Sequence, residues 1–394
     1  MSRSIAMVVA SPFPANHGTP GSIKELTEAM AEAGDQVHVV TYHFGVGTPP
    51  KGVTLHRIPD WGFSRKVVVG PTVYKPFLDL LMVFTLCRVI WREGIELIHA
   101  HNYEGALIGY LASLLTRRPL VYHAMNTMSD ELPSYNFFRP PGVAIWLAKH
   151  LDYWVPRMAT RIIAISQELA NFLYTQGIAP SRIQVIPPGI DTTQFRGHNR
   201  SLVRQCYQLG EARVVMYTGI LDRFQRLDYL LQAMRLVLVQ VPSARLLLVT
   251  NLAKDRDWQE CNAMVQELGL TGHVDIIQHD SFADIPHFLA AADVAVVCRP
   301  HCPGFPIKLL NYMAAEKPIV ASVGSAKGLQ HLQEAFVVPD HDWRAMGHGI
   351  VTVLQNQELA ASLGRKARTW VDTHYAWPSL IKTYDMVYAA ALAR

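Results

Sequence analysis

The sequence predicts an α/β fold made of two Rossmann-like domains facing across a cleft, and three observations carry that expectation. Short apolar runs rich in β-branched residues alternate with longer helical stretches throughout, the pattern of βαβ units on parallel sheets. The series restarts after Pro187-Pro188-Gly189, so one α/β set follows another. With 394 residues, 50% of them hydrophobic, the chain can give each set its own core. Ligands of open α/β sheets sit beyond the carboxyl ends of the strands, so chemistry is sought in the cleft between the two domains.

In the first half, strands are predicted near Ile5–Ala10, Val37–Tyr42, Val53–Arg57, Leu97–His101, Leu120–His123, Arg161–Ile165 and Gln184–Ile186. Helices are predicted near Ser22–Glu32, Pro76–Glu93, Gly105–Leu115, Val143–Met158 and Gln167–Gln176. Pro76 in a first turn and Gly94 after a last one punctuate the second helix in the favoured order. The second half places strands near Val214–Tyr217, Arg245–Thr250, Val274–Ile277, Val294–Val297 and Ile319–Ser322, each followed by a helical segment. Glu358–Arg394 reads as helix with a break at Trp377-Pro378. Its last part carries Leu380, Ile381, Tyr384, Val387 and Tyr388 on one face, which must pack on something. The expected divisions are therefore 1–190, 191–376 and a final helix over 377–394.

Composition narrows the classes of function. Lys and Arg number 36 against 32 Asp and Glu, a net +4, too slight a surplus to imply nucleic acid. Mean hydropathy is +0.11, high for a freely soluble enzyme. No run of about 18 or more apolar residues occurs, which argues against a spanning helix. The apolar start, Ser4–Ala10, reads as a buried strand rather than a signal-peptide core. Five scattered cysteines fit a reducing compartment, so a cytoplasmic location is expected.

Two segments have the composition of helices lying at a membrane interface. Val73–Arg92 combines Tyr74, Phe77, Leu81, Phe84 and Trp91 with Lys75, Arg88 and Arg92. Phe137-Phe138-Arg139 through Trp146, Lys149, Trp154 and Arg157 mixes aromatics with basic residues in the same way. Peripheral contact with the inner face of the cell membrane is one expectation. Burial of both helices in a large α/β domain is the other.

Several motifs sit where such a fold would place a site. After the first strand, Gly18 and Gly21 lie where a helix begins; they let backbone N–H groups approach an anion, or the loop simply ends in a Ser22 N-cap supported by Glu25. His99-Ala-His101-Asn102-Tyr-Glu104-Gly105 closes a strand and opens a helix, and His123 ends the next strand. Such histidines line one rim of the sheet, where a polar substrate can be hydrogen-bonded, or are satisfied structural residues. His99 and His101 share a strand face but lack an evident further ligand, and Cys298-Arg-Pro-His301-Cys302 lacks a second cysteine pair, so no metal site is expected. The most specific stretch runs from Cys302 through Gly304-Phe305-Pro306-Ile-Lys308-Leu-Leu-Asn311 to Ser322, with Lys308 and Asn311 on one helical face. Gly304 before the helix permits close ligand approach, and Lys308 with the helix dipole stabilises a phosphate.

That stretch resembles the signature helix of the family-4 nucleotide-sugar glycosyltransferases with the GT-B fold. Other pieces match in the family's order: the Gly18–Gly21 loop, Leu97–His101, Ala164-Ile-Ser166, Val185-Ile-Pro-Pro-Gly-Ile-Asp191 through Phe195, Tyr217-Thr-Gly219-Ile-Leu-Asp222 and Ala292–Val296. The resemblance covers essentially the whole chain. It implies an acceptor-binding first domain, a nucleotide-sugar-binding second domain and a final helix that packs back on the first. It further implies transfer with retained anomeric configuration and without a bound metal or other cofactor, the leaving diphosphate being neutralised by cations and helix N-termini.

The carry-over is uneven. Members usually have a pair of Glu at the signature helix, the first near the donor sugar and the second on the ribose; those places hold Pro303 and Asn311. Asn311 still offers hydrogen bonds to a diol, whereas Pro303 offers none from its side chain or its nitrogen. A subset carries a Gly-x-Pro-x-Lys version of the helix, similar to Gly304–Lys308. Many members place an Arg directly after the glycine equivalent to Gly219 and a Lys further on; Ile220 and Gln225 occupy those positions. Arg226, Lys308 and Arg223 are the cations near enough in sequence to replace them. The resemblance puts His123 near the donor sugar, Gly18 and Gly21 beneath the donor phosphates, and His101, Asn102, Glu104 and Ser166 on the acceptor side. The segment Gln278–Ala283 borders the base.

The expected enzyme uses a UDP- or GDP-sugar and a glycan, lipid-linked or glycolipid acceptor in cell-surface polysaccharide assembly. The alternative is a catalytically inactive relative that serves as a binding or scaffold subunit, motivated by Pro303 and the missing diphosphate cations. A nucleotide-sugar epimerase shares the two-domain fold but not this set of pieces.

Overall fold

The computed structural model describes residues 2–15, 18–63, 74–134, 141–250, 255–279, 284–302 and 304–393. They form two compact units: unit 1 is Met1–Gly189 with Trp377–Arg394, and unit 2 is Ile190–Ala376.

Unit 1 contains β1 (Ser4–Val9), α1 (Gly18–Glu32), β2 (Gln36–Thr41), β3 (Val53–Arg57), α2 (Lys75–Arg92), β4 (Leu97–His101), α3 (Asn102–Thr116), β5 (Leu120–Ala124), α4 (Met128–Glu131), α5 (Pro141–Met158), β6 (Arg161–Ala164), α6 (Gln167–Thr175) and β7 (Ile183–Val185). The strands form one parallel sheet in the order β3-β2-β1-β4-β5-β6-β7. Every residue of β1, β4 and β5 is buried, because helices cover both faces of a parallel sheet. Register sets His101 opposite His123 and places Met7 beside His99.

Helix α1 begins at Gly18, so Ser22 lies inside it and does not cap it. Pro20 fits the first turn, where its missing N–H has no intrahelical acceptor to lose, and the helix starts upstream of the predicted cap. Asn102 opens α3 with φ 60, a left-handed conformation that asparagine tolerates.

Unit 2 contains α7 (Arg200–Cys206), β8 (Arg213–Thr218), α8 (Leu227–Gln240), β9 (Ala244–Thr250), α9 (Asp255–Glu267), β10 (Val274–Gln278), α10 (Ile285–Ala291), β11 (Val294–Val297), α11 (Ile307–Ala314), β12 (Ile319–Ser322), α12 (Val323–Ala326), β13 (Phe336–Val338), α13 (Trp343–Gln355) and α14 (Gln357–His374). Its parallel sheet runs β10-β9-β8-β11-β12-β13. Strand β13 was not anticipated; three residues are too few to show a period.

The chain then returns to unit 1 as α15 (Trp377–Leu392). Trp377, Leu380, Ile381, Tyr384, Val387, Tyr388 and Ala391 follow the three-four spacing of a single helical face and enter one core with Ile5, Met7, Leu97, Val121 and Ile163. Gly189 makes room for this return: a Cβ there would lie 2.5 Å from the Trp377 ring. Arg3 ties the same helix to the start of the chain, pairing with Asp35 at 3.0 Å and with Asp385.

Candidate active site

In unit 2 the cationic centre is built around Lys308, in the first turn of α11. Its Nζ donates to Gln225 Oε1 at 3.0 Å and lies 3.8 Å from the centre of the Tyr217 ring. Gly219, at φ 129 after β8, leaves the ammonium its space: a Cβ there would lie 2.8 Å from Nζ. Burial pushes the amine down to about 7, Arg299 pushes the same way, and Cys298 and Asp222 oppose them. Asp222 is raised by burial and held back by Arg299 and Lys308. Gln225, standing where the family usually has a lysine, thus orients a lysine delivered from α11.

The two arginines are engaged elsewhere. Arg226 makes two hydrogen bonds to Asp228, at 2.9 and 2.8 Å, and its guanidinium lies 3.8 Å from the centre of the Tyr229 ring. Arg223 is exposed and paired with Glu260 at 3.1 Å. Arg299 is the cation that sequence reasoning missed. It lies in the Cys298–Cys302 motif, whose thiols and histidine drew attention instead. Cys298 is a buried thiol donating to the Gln225 carbonyl at 3.0 Å and pushed up to about 12 by burial.

Pro306 stands at the N-cap of α11, and Phe305 packs against the core with its ring 5.4 Å from that of Tyr375. Gly304 precedes them as a partly exposed residue. Asn311, three residues on from Lys308 in the same helix, is only 4% exposed. Pro303 and residues 280–283 of the predicted base-side segment lie outside the described residues.

In unit 1, His101 and His123 meet at the carboxyl ends of β4 and β5, with His99 two residues back on the same face. His99 stacks on His101 with ring centroids 4.4 Å apart, and His123 lies 5.3 Å from the first and 5.1 Å from the second. His99 Nδ1 is 2.6 Å from the Tyr388 hydroxyl and its Nε2 is 3.2 Å from His123 Nδ1. Both nitrogens of His101 and Nε2 of His123 lack a partner among the described residues. Burial holds all three neutral, with His123 pushed down to about 3. Their ligand atoms fall within 4.8 Å of one another, making them the described residues best placed to hold a metal. Pairing with Tyr388 was legible only as an apolar stripe on the last helix.

The remaining acceptor-side residues separate. Glu104 pairs with Lys75 at 3.3 Å. Nearby, Asp79 accepts from Tyr42 at 2.7 Å and is pushed up to about 6, by burial and then by Glu104 against the opposing Tyr42 bond. Ser166 caps α6, its hydroxyl accepting from Leu169 N at 3.1 Å. Gly18 and Gly21 occupy the first turn of α1; a Cβ on Gly21 would meet only Ala15 O, at 3.8 Å.

In unit 1, α2 exposes Phe77, Leu80, Phe84 and Trp91 along one stripe with Arg88 between them. Leu80, rather than the expected Leu81, belongs to that stripe. Helix α5 exposes Trp146 and Trp154 beside Lys149. Residues 64–73 and 135–140, including Val73 and Phe137–Arg139, lie outside the described residues. Among the described residues no helix is long and apolar enough to cross a membrane.

Comparison with known proteins gives these features a context. The model of Glycosyltransferase Family 4 matches residues 18–194, and that of Glycosyl transferases group 1 matches residues 204–370. A D-inositol 3-phosphate glycosyltransferase of Thermobispora bispora is 24% identical, over 94% of this chain and 89% of its own. The capsular polysaccharide biosynthesis glycosyltransferase CapM of Staphylococcus aureus is 20% identical, over 78% of this chain and 81% of its own. Among solved structures, sucrose-phosphate synthase from Thermosynechococcus elongatus superposes with a TM-score of 0.82 at 19% identity, covering 99% of both chains. HepE of Anabaena, crystallised with UDP and glucose, gives 0.77 at 19% identity, covering 98% of this chain and 99% of its own.

Proposed function

This chain belongs to the family-4 glycosyltransferases of the GT-B fold, nucleotide-sugar-dependent enzymes, and from that premise we propose that it transfers a sugar with retention from a UDP- or GDP-sugar to a glycan, lipid-linked or glycolipid hydroxyl in cell-surface polysaccharide assembly. The observation that carries the proposal is Lys308. Its ammonium has three donors, and among the described residues its side-chain hydrogen bond goes to Gln225. A diphosphate oxygen takes up the remaining capacity. The names of CapM, of HepE's ligands and of the inositol-phosphate enzyme support the polysaccharide setting, a UDP donor and a hydroxyl acceptor.

As the C1–O bond to the diphosphate breaks, negative charge grows on the leaving oxygen, and Lys308 with Arg299 stabilises it. Arg226 joins them by exchanging Asp228 for phosphate. The acceptor hydroxyl forms its new bond to C1 on the face the diphosphate leaves, and its proton passes to a diphosphate oxygen, so no separate base is required. His123 hydrogen-bonds an oxygen of the transferred sugar, and Glu104 with Asn102 and His101 holds the acceptor. Ser166 supports the acceptor rim through its helix cap. These cations carry the diphosphate charge without a bound metal, so activity is expected to survive chelation by EDTA.

Titration calorimetry with UDP and GDP, followed by NMR of the product anomer, tests the reading. Binding of neither nucleotide, or an inverted anomer, overturns it.

The α2 stripe, together with Trp146 and Trp154 of α5, docks unit 1 peripherally on an anionic bilayer, which brings an amphiphilic acceptor to the enzyme. Co-sedimentation with vesicles containing phosphatidylglycerol is expected at low salt; a protein left in the supernatant refutes docking.

A further inference from the structure

Tyr388, His99 and His123 make a hydrogen-bonded chain through the interior of unit 1, from the last helix to the end of β5. Each group is buried; both imidazoles are neutral and the phenol is protonated. A neutral imidazole carries one ring proton, so the direction of one bond in the chain fixes the tautomer of both histidines.

That direction follows from Tyr388. Its single proton has two neighbours, His99 Nδ1 at 2.6 Å and the Met30 thioether at 3.5 Å. An imidazole nitrogen is a far stronger acceptor than a thioether, and 2.6 Å is a short contact, so the hydroxyl donates to His99. His99 then carries its proton on Nε2 and donates to His123 Nδ1. The proton of His123 must sit on Nε2, the nitrogen that lacks a partner among the described residues.

We propose that Tyr388 and His99 are positioning residues that hold His123 in the Nε2–H tautomer, so that it offers a hydrogen-bond donor, and not a base, to an oxygen of the transferred sugar. This rests on the role given to His123 above. It also supplies a reason for the return of the chain to unit 1: α15 brings the hydroxyl that sets the tautomer at the site. A metal held by the three histidines is the competing use of the same cluster. His99 stacks on His101 at 24° and on His123 at 26°, and near-parallel rings do not aim their lone pairs at one point.

Long-range 1H–15N correlation of the full-length chain labelled at histidine tests the proposal, with ring signals assigned through His99→Gln and His123→Gln. The expected spectrum shows a protonated Nε2 and a bare Nδ1 at both His99 and His123. A protonated Nδ1 at His123 overturns the proposal. So does a shift of all three rings when Zn2+ is added to chelator-treated protein.

Tyr388→Phe is expected to mix the tautomers of both histidines and to lower kcat by roughly 10- to 100-fold, the range for removing a group that orients an acting residue, with little change in donor KM. Unchanged tautomers in a folded Tyr388→Phe protein remove Tyr388 from its role. If that variant does not fold, the wild-type spectrum still decides. Full activity in His123→Gln beside the expected tautomers overturns the contact of His123 with the sugar and leaves the tautomer chain standing.

Discussion

Lys308 makes the proposed donor site sensitive to pH in a way its sequence neighbours do not reveal. With the amine pushed down to about 7, the free enzyme holds it in both protonation states near neutrality. A bound diphosphate favours the charged form, so binding draws in up to one proton. UDP affinity is expected to be highest below pH 7 and to fall by up to about tenfold per pH unit above it, until the amine of the complex itself titrates. Calorimetry in buffers of differing ionisation enthalpy measures the proton uptake directly. Lys308→Gln is expected to weaken UDP by roughly 10- to 100-fold, the loss of one charge-assisted bond, and to flatten the pH dependence. The folded amine has the lower pKa, so the unfolded chain binds more protons between about 7 and 10.5, and stability rises with pH across that window. In Lys308→Met this increment disappears from denaturation curves at pH 7 and 9. Gly219 and Lys308 were legible as a pair of motifs. The contact of Gln225 with Lys308 was not, because it joins positions far apart in sequence and only the fold brings an amide to the place of an absent lysine.

Helix and strand identities were legible wherever an apolar period ran for more than a few residues. Strands β4 and β5 and helix α2 emerge within about two residues of expectation, whereas β13 offers only Phe336–Val338 and the start of α1 was displaced by an attractive but unused cap at Ser22. Composition marked α2 as amphipathic but did not show which of its aromatics faced solvent; packing against the sheet decides that. The exposed stripe makes a prediction for the helix as a unit. Phe84→Glu with Trp91→Glu changes positions that are 64% and 68% exposed, so thermal stability should hold while vesicle co-sedimentation is lost. Unaltered sedimentation would place the contact elsewhere. Gly219→Ala tests the β8–α8 turn: with φ 129 and a Cβ aimed at Lys308 Nζ, it is expected to displace the ammonium and weaken UDP at least as much as Lys308→Gln.

For the molecule as a whole, the first β-α series and the second were readable as separate sets because Pro187-Pro188-Gly189 interrupts the periodicity between them. Gly189 favours the close packing there for a reason sequence does not disclose, the Trp377 indole 2.5 Å from any added Cβ. Gly189→Ala is expected to cost about 1–3 kcal/mol of stability by overpacking, measured by urea denaturation. Stopping the chain at Ala376 removes seven buried side chains of α15 from the core of unit 1 and is expected to give an aggregating product. The same topology sets an order of events on the ribosome. Residues 377–392 are made only after the whole of unit 2, so the sheet of unit 1 emerges first and is sealed last. Until those residues are made, the apolar core residues of unit 1 that α15 covers lack their partner helix, and the tyrosine proposed to orient His123 arrives after every other part of the histidine cluster.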